Sequence, residues 1–334
     1  HRWEAAAPAL LVLTALVAAP FFLSIYGVIV LTEILTMSLF ALSFNLLFGY
    51  TGLLSFGQAG FFGAGAYFAV LTLIHGPGSL WAALAAAVIG SAVLAAAIGW
   101  LCVRLDEIYF AILTLGFGMM LFTIAHNWRS VTGGSDGLGN FTLPGLNLFG
   151  HEISLFHPVS FYFLVLLIVS LGALLLSRVV GSPFGLLLRG TRENSLRVSF
   201  VGANVRTLRL FAFILAGALA GLAGALFAFF NRIASPEMLH WSFSGKAVLM
   251  TILGGSGVFL GPAVGAALVA DAHDAVHHQH VRHRQLGVAG AEQLPVAALQ
   301  QLVAVEALGA CHLAPRRGRG CRLSRRRARR RCGR

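Results

Sequence analysis

Apolar runs of about 20 residues recur through most of this chain, and that recurrence limits its fold more than any other feature. Backbone polar groups inside a bilayer must be paired within the chain, so each run is read as a membrane helix. The fold class that follows is all-α, a polytopic transmembrane helical bundle of about 8 helices. Composition agrees, because only 11% of residues are charged against about 25% in soluble domains. The runs place helices at 8–24, 25–48, 53–74, 80–103, 107–125, 157–178, 208–231 and 245–270. The chain begins at His1 rather than Met, and no signal peptide is needed to explain a first run as long as the later ones.

Charge orients the bundle. The loop 179–208 and its flanks carry Arg178, Arg189, Arg192, Arg197, Arg206 and Arg209 against the single acid Glu193. The positive-inside rule puts this loop in the cytoplasm. Counting helices from there places 126–156 outside and both the N-terminus and residue 270 inside, unless 250–262 is re-entrant.

Composition changes at residue 270. Residues 1–270 hold 11 Lys/Arg and 8 Asp/Glu, whereas 271–334 hold 13 and 4. The tail has five histidines within 273–283 and ends in RRGRGCRLSRRRARRRCGR. It reads as a frame-shifted translation of a GC-rich gene, as a disordered segment, or as a metal- or anionic-lipid-binding tail.

Small residues every fourth position let bilayer helices approach closely. Ala216, Ala220 and Gly224 have this spacing, as do Gly217, Gly221 and Ala225, and Gly257, Gly261 and Gly265. The stretch GLLSFGQAGFFGAGAYFAVL, residues 52–71, is different, because its five glycines do not share one face. Such a helix is either hemmed in on several sides or broken beside a water-filled path. Gln58, Gly60 and Gly63 are therefore candidate path residues. Glu33, about 12 Å into the second helix, is the one mid-membrane charge counted as a path candidate. In the cytoplasmic loop, Thr191 is expected to cap a helix over 192–201 that stops at Gly202. Its Leu196, Phe200 and Val201 form an apolar patch flanked by arginines, suited to a groove on a partner or to the headgroup layer.

Five stretches carry a resemblance: FNLLFGYTGLLSFGQAGFFGAGAY (44–67), VTGGSDGL (131–138), SPFGLLLRGTRENSLRVSFVGANV (182–205), FAFILAGALAGLAGALFA (211–228) and LMTILGGSGVFLGPAVGAAL (249–268). In this order they resemble the M-type permease subunit of branched-chain amino-acid ABC importers. The resemblance implies a transmembrane permease domain over 1–270 in a bacterial inner membrane. It implies four kinds of partner: a second homologous permease, two cytosolic ATP-binding-cassette ATPases, an extracytoplasmic substrate-binding protein and the bilayer, with no nucleic acid. The ATPase-docking loop would map onto 179–208, with Arg189, Arg192, Glu193, Asn194, Arg197 and Gly202 in it. The family also implies a further apolar helix after residue 270, which the printed tail lacks.

No cofactor is expected on this chain, since ATP would be used by the partner subunits. SFSGKA at 242–247 lacks the leading Gly and the Ser/Thr of a phosphate loop, and neither a metal nor a catalytic set is expected. Three other readings stand beside the importer. An ABC permease could carry urea, amides or other amino acids. An ion-coupled transporter would need more mid-membrane charge. An intramembrane serine protease would use Ser256 in GGSG, but needs a base within reach of that serine.

Overall fold

The computed structural model describes residues 2–270, apart from 77, 106, 140, 149–150 and 154–156. The expectations for the tail 271–334 lie outside the described residues. Helices α1 (Arg2–Phe22), α2 (Ile25–Asn45), α3 (Gln58–His75), α4 (Leu80–Cys102) and α5 (Glu107–Asn127) follow one another with short links. A four-residue helix α6 (Arg129–Thr132) and a small antiparallel hairpin of β1 (Leu146–Leu148) and β2 (His151–Ile153) fill the loop before α7 (Pro158–Val180). Then come α8 (Pro183–Phe200), α9 (Val205–Asn231), α10 (Trp241–Gly254) and a last helix α11 over Gly261–Ala270. Six of the described helices are long and apolar enough to cross a membrane.

Local chemistry sets most of the starts. Ser24 accepts from the Gly27 amide at 3.4 Å to open α2, and Ser79 accepts from Ala82 at 3.1 Å to open α4. Asn204 takes the amides of Arg206 and Thr207 to open α9. These side chains satisfy donors that a helix start leaves unpaired. Hydroxyls inside the helices turn back on their own backbone: Thr32 donates to the Val28 carbonyl and Thr36 to that of Thr32. These two hydroxyls thus sit in an apolar setting without an open hydrogen bond.

The core is the crossing of α3, α4 and α9, and small residues make it possible. Gly217 lies against Ala95, and Gly221 against Ser91, so α4 and α9 run antiparallel at close range. A Cβ at Gly65 would collide with the backbone of Gly221, and one at Gly224 with the backbone of Phe62. This is bilayer packing by backbone approach rather than by large side chains. Two-thirds of the membrane window is buried for α3 and for α9, but only 28% for α5, which lies at the edge.

Three expectations need correction. The second helix does not run on as α-helix to 48, because Leu46–Thr51 winds as a π-helix and ends at Gly52 with φ 77°. The third helix does not start at 53: residues 53–55 are irregular and α3 begins at Gln58. The expected single span 245–270 is two helices, broken at Gly255 (φ 86°). Gly261 and Gly265 fold α11 back on α10, with Cβ positions that would strike Gly254 and Met250. Gly257 does not belong to that ladder, since it lies in the turn with open space around its Cβ position.

Candidate functional site

The start of α3 lies inside the bundle. Gln58 is fully buried, and its amide nitrogen donates to the Ala216 carbonyl at 3.1 Å, with the Ser43 hydroxyl at 3.5 Å. Ala216 is 11 residues into α9, or about 16 Å from its first residue, so α3 begins well below the helix ends. A helix start there exposes amides that water cannot reach. Ser244 of α10 accepts from the Ala59 amide at 2.9 Å and satisfies one of them. The Gln58 carbonyl oxygen has no partner, which is costly at a buried site.

The glycines around Gln58 are hemmed in by different neighbours. Gly57 meets the Thr114 backbone on α5, and Gly60 meets Gly118 and Leu121 of the same helix. Gly63 meets Leu239, in the short turn before α10. Phe62 extends an aromatic cluster between them: it lies 4.7 Å from Phe40 and 5.6 Å from both Phe227 and Phe243, ring centre to ring centre. Glu33 is not at this point. It lies half-buried on α2, about two turns from Phe40 toward the end of the bundle away from α8. The structure adds a charge that the sequence reading did not weigh. Lys246, half-buried on α10, turns back over the Phe243 ring at 4.7 Å. Its isolation in an apolar run was the available signal.

At the opposite end, α8 starts earlier than expected. Ser182 is its cap, accepting from Gly185, and Pro183 follows at the first helical position. Thr191 is not a cap: it is buried inside the helix and donates to the Leu188 carbonyl. The helix kinks at Asn194 (φ −159°, ψ 103°), whose side chain caps the second half by accepting from the Arg197 amide at 3.1 Å. Gly202 follows with φ 87°, the left-handed stop that glycine suits.

The kinked helix has two working faces. Arg192 donates to the Gly49 carbonyl, and Arg189 lies 5.1 Å from the Tyr50 ring, so both arginines grip the π-helix that leads to Gln58. Glu193, Asn194 and Arg197 instead line a cavity of about 290 Å³ with Leu187, Gly190, Val198 and Val201. Beside it, Leu196, Phe200 and Val201 are 68%, 87% and 81% exposed.

Membrane-length helices, an internal helix start and an amphipathic helix at one end together define a multi-pass membrane protein. The chain belongs to the family described as branched-chain amino acid transport system / permease component, which matches residues 26–279. It is 33% identical over 269 residues to the high-affinity branched-chain amino acid transport system permease protein LivM of Escherichia coli (strain K12). That match takes in 75% of this chain and 63% of the relative. The LivM protein of Salmonella typhimurium is 32% identical over 261 residues, covering 72% of this chain and 61% of its own length. The LivH permease protein of Escherichia coli (strain K12) is 25% identical over 251 residues, 70% of this chain and 79% of the relative. The chain therefore spans less than two-thirds of the LivM proteins it matches. No solved structure matches it.

Proposed function

We propose that the chain is the membrane-spanning permease subunit of an ATP-binding-cassette importer that moves branched-chain amino acids by alternating access. The family match over 26–279 carries this reading. The internal start of α3 supports it, since broken helices at membrane depth suit residues that line a path. Gln58, Gly60 and Gly63 border that path, and its unpaired Gln58 oxygen offers an acceptor. The α8 end faces the cytoplasm, as does the N-terminus, in a bacterial inner membrane. The kinked helix docks a cytosolic ATPase, with Glu193, Asn194 and Arg197 toward the partner and Arg189 and Arg192 toward the chain itself. A second, related permease, two ATPases and an extracytoplasmic binding protein complete the assembly. ATP is consumed by the ATPase partners, and no cofactor is held by this chain.

The test is uptake of leucine by the full complex in proteoliposomes, with ATP hydrolysis followed in parallel. A Glu193→Ala/Gly202→Ala double variant is expected to insert normally and lose uptake while the ATPases still turn over. Wild-type uptake in that variant refutes the docking role of α8.

A further inference from the structure

A free amino acid arrives as a zwitterion, and a path that recognises one needs an anion and a cation set apart beside an apolar pocket. The described membrane part holds an anion and a cation beside an aromatic cluster that reaches Phe62, one turn along α3 from Gln58. Helices α2 and α10 pack against each other, and they bring Glu33 and Lys246 near enough to feel each other's charge. No ion pair within 4.0 Å joins them among the described residues, so neither charge is fully neutralised by the other. Either charge facing lipid would be costly, which argues that this side is covered by protein or by a water path. Both side chains are only half-buried, as expected of groups facing such a path.

The apolar part lies alongside. Lys246 sits over the Phe243 ring, which is stacked on Phe62 at 5.6 Å and meets Phe227 at 5.9 Å. Phe40 joins the same cluster seven residues along α2 from Glu33, on the same helix face. Four rings from α2, α3, α9 and α10 thus cluster next to Lys246, with Glu33 about two turns along α2 from Phe40. We propose that Glu33 and Lys246 form a zwitterion subsite of the import path, Glu33 receiving the ammonium and Lys246 the carboxylate, with the apolar side chain against the Phe243 cluster. The subsite rests on the permease reading above and adds to it Lys246 and the division of roles.

The experiment uses the full complex in proteoliposomes, with leucine delivered by its binding protein. Lys246→Gln and Glu33→Gln are each expected to lower uptake about tenfold or more, the scale of a lost charge-assisted hydrogen bond. Subunit composition on size exclusion should not change. The exchanged pair Glu33→Lys/Lys246→Glu keeps the mutual attraction but reverses the ends of the zwitterion, so uptake should stay low. Uptake restored by the exchange overturns the proposal in favour of a structural ion pair. Normal uptake in either single variant, or loss of assembly in both, overturns it as well. A wild-type complex that moves no amino acid refutes the permease reading itself, whereas wild-type uptake with unaffected variants refutes only the subsite.

Discussion

Replacing Gly65 with alanine tests whether α3 and α9 depend on backbone contact. A Cβ there would collide with the carbonyl, Cα and carbonyl carbon of Gly221, none of which can rotate away. Nor can α9 retreat, because Gly221 already lies against Ser91 and the Ala87 backbone on α4. The two helices must therefore separate, at an overpacking cost of about 1–3 kcal/mol, and toward the upper end since the obstacle is backbone. Alanine recovers up to about 1 kcal/mol of helix propensity, leaving a net loss of about 1–2 kcal/mol. Gly116, exposed on α5 with nothing within 4 Å of its Cβ position, is the control, and its alanine variant should gain up to about 1 kcal/mol. At about 2–4 °C per kcal/mol, the two variants should melt about 2–12 °C apart in thermal unfolding of the detergent-solubilised chain. A Gly65→Ala protein that melts with or above Gly116→Ala would refute the backbone-contact account.

Leucine at Gly60 or Gly63 should abolish uptake, because those Cβ positions already meet Gly118 and Leu239, whereas leucine at the exposed Ala85 or Ala97 should leave uptake near wild type. Equal effects at the two sets would remove Gly60 and Gly63 from the path. Asn194→Ala should loosen only the second half of α8, by about 1 kcal/mol, through loss of its cap on Arg197. Amide exchange over 195–200 should then quicken with that over 183–193 unchanged. Uniform quickening would show that the kink is not a second helix start.

The sequence placed most helices within a few residues, because a bilayer leaves an apolar run no backbone partner but itself. It also placed the Gly202 stop and the small-residue faces of α9, both of which are local patterns. Its errors share a cause. The Ser182-Pro183 pair is a readable helix start, but Thr191 is a good cap by residue type and only its place inside the helix excludes it. The split of 245–270 was signalled by Gly254, Gly255 and Gly261-Pro262, but a continuous apolar run hides a hairpin. Lys246 stood out by charge alone, and nothing near it in the chain names Glu33 as its counterpart.

The sequence by itself thus determined that this is a bundle of membrane helices with a basic amphipathic segment between two of them. Only the tertiary structure decided where the helices break. An unwound turn at depth survives when remote groups take its polar atoms, as Ser244 takes the Ala59 amide and Arg192 the Gly49 carbonyl. Those partners lie 185 and 143 residues away, beyond the reach of any local pattern.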